Sequence, residues 1–255
     1  MMISFSTLRG LLTLLIAPPA TLLISVIALV DLKYIRKTPA KAQIFPRFWG
    51  KMICALAGVT VRVEGMENID AQQTYIFVGN HASQFDIFTF QGFFPHDFRW
   101  LAKKELFHIP VIGWAMEAIG FIAIDRSCSR KAVTSLNQAA SRIREGASVL
   151  LFPEGTRSPD GRLHPFKGGA ILLAIKAGVP LVPIGFNNTH RILPKGKLLA
   201  KPGEVIIRIG TPLPTNTFQA RDREQLATRL YDHVAALLNP DQLPHTEKTH
   251  AATVQ

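Results

Sequence analysis

Cysteine is scarce in this 255-residue chain, which has only Cys54 and Cys128. Two thiols cannot build the framework of a small secreted scaffold. They suit a reducing compartment, with one bridge between them left open. Acidic side chains are also few, 18 against 29 Lys and Arg, which leaves a formal charge of +11. Such an excess suits an anionic partner: nucleic acid, anionic lipid or a phosphorylated substrate. Several motifs are missing as well. No G-x-S-x-G elbow supports a lipase-type serine nucleophile. No G-x-x-x-x-G-K-[ST] loop supports nucleotide hydrolysis. No Cys/His cluster has metal spacing. No zinc-finger spacing or RNA-recognition motif is present, so nucleic acid is the weakest of the three partners and none is expected. What is abundant is apolar sequence, 47% of residues, with only 18% charged. That excludes disorder over most of the chain, and the length fits one large domain or two small ones.

Residues 11–30 carry no charge, with Arg9 before them and Asp31 after. Twenty mostly apolar residues match a helix crossing a bilayer core of ~30 Å. Pro18 and Pro19 interrupt the run. Paired prolines remove two donors and disfavour the helix before them, so two shorter halves dipping into one leaflet stand beside a clean span. A buried core helix is the soluble alternative. A cleaved signal peptide fits less well, because its basic end has only Arg9. Lys33, Arg36, Lys37, Lys41, Arg47 and Lys51 follow, against the single acid Asp31. Cations after an apolar run favour the cytoplasmic side and attract anionic headgroups, and Phe45, Phe48 and Trp49 among them suit an interfacial anchor. A solvated basic linker is the plainer alternative. The expected organisation is an anchor and linker over 1–44, a folded domain over 45–240, and a polar, frayed tail beyond.

Within that domain short apolar runs alternate with helix-length segments. Residues 59–63, 74–78, 98–102, 121–124, 148–152, 181–185 and 205–209 read as strands. Residues 85–93, 111–118, 129–145, 168–177 and 221–238 read as helices. In the third of these Val133, Leu136, Ala140 and Ile143 recur at helical spacing, and Gly146 follows as a stop. The pattern predicts an α/β fold, a mixed, largely parallel sheet flanked by helices.

Four constellations can carry chemistry. Gly79-Asn80-His81-Ala82-Ser83-Gln84-Phe85-Asp86 follows a predicted strand, where active-site loops of open α/β sheets collect. A carboxylate on one imidazole nitrogen leaves the other free as a base, so His81 and Asp86 form a candidate dyad. The alternative is a surface histidine with Asp86 capping a helix. Phe152-Pro153-Glu154-Gly155-Thr156-Arg157-Ser158 also ends a strand. Gly155 permits close backbone approach, Arg157 offers a phosphate-matching fork, Thr156 adds a hydroxyl, and Glu154 can hold Arg157 or a substrate hydroxyl. An ordinary turn with an exposed ion pair is the alternative. Phe166-Lys167-Gly168-Gly169 opens a helix, where Lys167 and free amides such as that of Gly168 suit an anion. Asp125 and Arg126 close another strand, either as a structural ion pair or as ligands.

Taken in order, Asn80-His81-x4-Asp86, the 120–126 segment, the 152–158 segment and Val179-Pro180-Leu181-Val182-Pro183 resemble the four blocks of the glycerolipid acyltransferases, closest to the bacterial 1-acyl-sn-glycerol-3-phosphate branch. The resemblance covers roughly residues 45–215. It implies His81 as general base on the sn-2 hydroxyl of a lysophospholipid acceptor and Asp86 as its orienting partner. It implies Arg157, Lys167 and Arg126 as phosphate ligands. Asn80, Asp125, Glu154, Gly155, Thr156 and Gly168 would complete the substrate pocket. The donor would be acyl-CoA or acyl-carrier protein, with no metal, no cofactor and no acyl-enzyme, at the cytoplasmic side of a cell inner membrane. Alternatives are a sister enzyme acting on another lysolipid or on glycerol 3-phosphate, and a non-catalytic membrane lipid-binding protein. Oligomeric state is left open.

Overall fold

The computed structural model describes residues 4–36, 38–39, 41–125 and 127–244, apart from the side chains of 41 and 129. In chain order the elements are α1 (Phe5–Tyr34), α2 (Ile44–Ala57), β1 (Val59–Glu64), β2 (Ile76–Gly79), α3 (Phe85–Phe93), β3 (Arg99–Lys103), α4 (Ile112–Ile119) and β4 (Ile122–Ile124). They continue with α5 (Ser129–Arg144), β5 (Val149–Leu151), α6 (Gly168–Ala177), β6 (Leu181–Asn187), α7 (Thr189–Ile192), β7 (Gly203–Ile209) and α8 (Arg223–Ala235). The seven strands form one sheet in the order β1-β7-β6-β2-β5-β3-β4. All neighbours are parallel except β6 and β7. The expected mixed, largely parallel sheet is therefore present.

Side-chain alternation splits the core into two layers. Tyr75, Phe77 and Leu150 point to one face, where Phe85, Phe90, Phe94 and Ile53 of the α2–α3 side cover them. Ile76, Val78, Val149 and Leu151 point to the other, under Ile143, Ile171, Leu173 and Leu230 of α5, α6 and α8. With helices on both faces, parallel strands read as nearly continuous apolar runs. That is why the strands were legible in the sequence.

Of the two forms left open for residues 11–30, the unbroken one is found: α1 is one 30-residue helix through Pro18 and Pro19. Contacts on both sides of the prolines tie it to α2. Arg9 donates to Leu56 O (3.2 Å) and Ala55 O (2.5 Å), and Trp49 Nε1 donates to Thr21 Oγ1 (2.8 Å). Its buried stripe is Gly10, Thr13, Ser25, Ala28 and Asp31, whereas Leu15 (69%) and Leu23 (60%) are exposed. Small and hydroxyl residues face in and leucines face out, the reverse of a water-solvated amphipathic helix. Thr13, Thr21 and Ser25 each donate to the carbonyl four residues back, so no hydroxyl on this stripe lacks an acceptor. A core helix would bury those leucines. This pattern suits lipid as the outer neighbour.

Residues 44–57, which the sequence reading divided between linker and domain, form α2. Pro46, Gly50, Ile53, Cys54 and Ala57 give it a buried helical stripe. Both thiols are free, and burial pushes Cys54 up to about 12. The α2–α3 crossing is close enough that a methyl at Gly50 would lie 2.5 Å from Phe88 O and 2.6 Å from the Gly92 amide nitrogen. Both neighbours are backbone and cannot yield by a rotamer change. Gly50→Ala is expected to cost about 1–3 kcal/mol through overpacking. Gly169→Ala, whose methyl would meet only Leu136 at 3.9 Å, is the helical control. Thermal unfolding in detergent compares the two.

The chain just past Pro240 is docked rather than frayed. Gln242 is 4% exposed and donates to Phe186 O at 2.9 Å, while Asp241 pairs with Arg191. The remainder of the predicted tail, 245–255, lies outside the described residues.

Candidate active site

His81 follows β2 at the carboxyl edge of the sheet, and α3 begins four residues later. Its Nδ1 lies 2.7 Å from Asp86 Oδ2. The same oxygen accepts from the amides of Ala82 (2.8 Å) and Ser83 (2.9 Å). The helix-cap reading of Asp86 is not realised, since Gln84 is the N-cap residue of α3 and no side chain caps it; the Asp86 oxygen instead ties down the 82–83 turn and orients the imidazole. Asp86 is fully buried, whereas the His81 side chain keeps 14% exposure. Its ring stacks on Phe152, with centroids 3.9 Å apart and planes 6° apart. With the Nδ1 proton donated to Asp86, Nε2 keeps its lone pair, and no described residue bonds to it.

The second constellation wraps the first. Glu154 Oε1 accepts from the His81 amide at 2.6 Å, and the Ser158 amide donates to His81 O at 2.6 Å. The intervening turn passes through Gly155 at φ +79°, where a methyl would lie 3.0 Å from Lys167 Nζ. Glycine suits that left-handed φ and leaves room for the ammonium beside the loop. Arg157 is half-buried, and its guanidinium has no partner among the described residues. Its carbonyl accepts from Lys195 Nζ at 2.9 Å. Thr156 and Lys167 are exposed beside it, and Gly168 opens α6, also exposed. A free guanidinium, a nearby ammonium and a helix start therefore surround a loop fastened to the candidate base.

Two residues expected to touch substrate are instead occupied within the protein. Asn80 is 2% exposed, donates to Phe186 O (3.0 Å) and accepts from Phe186 N (2.7 Å), latching β2 to β6. Glu154 is 5% exposed, and its second oxygen accepts from the His164 amide at 3.3 Å. It supports His81 from below and makes no bond to Arg157. Burial raises its carboxyl from the ordinary 4.5 to about 8, outweighing the two amide bonds that favour the charged form.

This has a consequence for stability. Between pH 4.5 and 8 the folded protein keeps a proton that the unfolded chain has released. Stability from this group is therefore full below about 4.5 and declines as pH rises through about 8. The slope approaches 1.4 kcal/mol per pH unit within that window. Glu154→Gln removes this titration, so its unfolding midpoint minus that of wild type is expected to rise from pH 6 to pH 9. A parallel shift of both proteins would sink the assignment.

Asp125 sits at the end of β4. Strand registers place Ile122 level with Val78, so Asp125 and His81, three residues beyond each, stand at equal height. Three inter-strand steps separate them, roughly 14 Å. Asp125 accepts from Ser127 (2.6 Å from Oγ, 3.0 Å from N) and Lys104 Nζ (3.3 Å), bonds that hold its carboxyl down to about 2. It lines a cleft of about 590 Å³ with Lys104, Arg130 and Lys131, apart from the dyad. Arg126 lies outside the described residues. The 179–183 block enters β6, where Leu181 and Val182 are buried, and serves the core rather than the site.

Two contributors were given no role in the sequence reading. Phe152 reads as one more apolar residue at a strand end. The loop after α7 reads as a basic turn, yet it supplies Lys195 to Arg157 and the Leu193 carbonyl to Ser83 Oγ at 2.8 Å.

An oriented imidazole with a free nitrogen, joined through one loop to an unpaired guanidinium on an α/β sheet, is an arrangement that can serve acid–base chemistry beside a bound anion. Comparison with known proteins gives the class its family. The acyltransferase family model matches residues 60–187, half of the chain, and the protein belongs to that family. Among similar proteins is the chloroplastic 1-acyl-sn-glycerol-3-phosphate acyltransferase BAT2 of Brassica napus, 34% identical over 82% of this chain and 62% of the relative. The enzyme of that name from Pseudomonas aeruginosa is 36% identical over 61% of this chain and 60% of its own. The chain thus spans about three fifths of these relatives' length. The crystal structure of the 1-acyl-sn-glycerophosphate acyltransferase from Thermotoga maritima superposes with a TM-score of 0.73 at 29% identity, covering 91% of this chain and 98% of the other.

Proposed function

We propose that the protein moves an acyl chain from a thioester to the sn-2 hydroxyl of 1-acyl-sn-glycerol 3-phosphate, forming phosphatidic acid. The observation that carries this reading is the His81–Asp86 pair with Nε2 free, on a loop clamped to the one that bears Arg157. The acceptor phosphate binds Arg157, with Lys167 beside it, which brings the hydroxyl to Nε2. That nitrogen takes the hydroxyl proton as the oxygen attacks the thioester carbonyl, and Asp86 stabilises the imidazolium. The tetrahedral oxyanion collapses, the carbon–sulfur bond breaks, and the thiolate recovers the proton from Nε2. No covalent enzyme intermediate, metal or cofactor takes part in this sequence.

Both substrates are anionic amphiphiles, in keeping with a +11 chain whose α1 turns its leucines outward. The donor, acyl-CoA or acyl-carrier protein, reaches the site from the cytoplasmic side of the inner membrane. The test is an acceptor panel with one labelled thioester. The expected result is thiol release only when acceptor is present, with the highest kcat/KM on 1-acyl-sn-glycerol 3-phosphate. Preference for glycerol 3-phosphate or a choline lysolipid would move the protein to a sister activity. Acceptor binding without thiol release would make it a lipid-binding protein.

A further inference from the structure

The loop joining α7 to β7 is basic and carries no acid from Ile192 to Gly203. It is closed at its base, where the Lys201 amide donates to Ile192 O at 2.8 Å. Its tip exposes Leu198 (71%) and Leu199 (37%) between Lys195, Lys197 and Lys201. Two adjacent exposed leucines are out of place on a water-facing turn. Leucines ringed by lysines are the chemistry of an interfacial anchor, with apolar tips in the acyl boundary and ammonium groups at anionic headgroups. The loop also packs on the buried stripe near the start of α1. A methyl at Gly10 would meet Ala200 O at 2.7 Å and Leu199 Cβ at 3.3 Å, while Phe5 and Leu8 on other faces of the same helix are exposed. Its other end reaches the active site, through Lys195 to the Arg157 carbonyl and Leu193 to Ser83.

We infer that this loop is a second membrane contact, separate from α1, which inserts Leu198 and Leu199 into an anionic leaflet and seats Arg157 at headgroup depth. The occupant is a bilayer surface rather than a protein, because the tip is uniformly cationic and packs on the helix whose other face exposes its leucines. The inference rests on the proposed function only in giving Arg157 a lipid-borne phosphate.

The test uses the full chain in phosphatidylglycerol–phosphatidylethanolamine vesicles. A solvent-sensitive fluorophore is placed on Leu198→Cys in a Cys128→Ser background, since Cys54 is buried. Leu15→Cys is the control on α1. Blue-shifted emission and quenching by brominated lipid at both positions are expected. Quenching at 15 with water-like emission at 198 would overturn the proposal. In a second arm, Lys197→Gln is expected to slow turnover of a vesicle-embedded acceptor roughly fivefold, the weight of one cation at an anionic surface. Turnover of a short-chain acceptor dissolved as monomers should not change. Equal loss on both acceptors would make the loop a scaffold of Arg157 and overturn the membrane role. Absence of wild-type turnover on the monomeric acceptor would count against the acyltransferase reading alone, and the fluorescence result would stand.

Discussion

His81→Ala is expected to lower kcat by about 10²–10⁴-fold, the usual weight of a positioned general base, while the fold persists. The separation of these effects follows from the contacts. What fixes the 81 position is main chain: its amide on Glu154 Oε1 and its carbonyl under the Ser158 amide, both at 2.6 Å. Alanine keeps both. Asp86 also keeps its bonds from the Ala82 and Ser83 amides, so the turn that leads into α3 remains fastened. The losses are the imidazole's bond to the buried Asp86 carboxylate and its stack on Phe152, a ring whose packing also includes Trp100 and Phe186. The unfolding midpoint in detergent should therefore move little while acyl transfer at saturating substrates collapses. A well-folded variant with near-normal turnover would remove His81 from the chemistry and take the proposed mechanism with it.

Much of this site was legible because its spacing is local. His81 and Asp86 are five residues apart, so a turn and the first helical turn suffice to join them, and sequence alone can suggest that. The clamp between His81 and residues 154–158 was not legible, because it depends on β5 inserting beside β2, a pairing set by the whole sheet. The internal bonds of Asn80 and Glu154 were hidden for the same reason: their partners, Phe186, His81 and His164, lie on other elements. The boundaries of α3, α5 and α6 were readable from periodicity and from stops such as Gly146 and Gly178. In α1 the proline rule was outweighed by tertiary contacts. In α2 the cations Arg47 and Lys51 masked a stripe of Pro46, Gly50, Ile53 and Ala57 whose helical period was already in the sequence.

Arg157→Ala is expected to raise the acceptor KM by roughly 10²-fold and leave the donor KM near its wild-type value. Truncating one partner of a hydrogen-bonded charge pair costs about 2–5 kcal/mol, and the Arg157 guanidinium has no described protein partner to compensate. The same freedom argues against a structural loss, since its removal leaves no buried carboxylate unpaired. The loop holds its course through main-chain bonds, Ser158 N to His81 O and Lys195 Nζ to Arg157 O, which the substitution spares. Those bonds also fix the clamp relative to the base. Turning the phosphate displaces the hydroxyl from Nε2, so kcat should fall as well, by less than KM rises. Arg157→Lys separates charge from geometry. A point charge restores attraction but not the two-pronged fit, so KM should recover in part while kcat stays low. Lys167→Ala should do less than either, because its ammonium is exposed and strongly hydrated. If Arg157→Ala raised both KM values equally, the guanidinium would be serving the loop rather than the acceptor, and the phosphate would have to be sought at the Lys104–Arg130–Lys131 cleft beside β4.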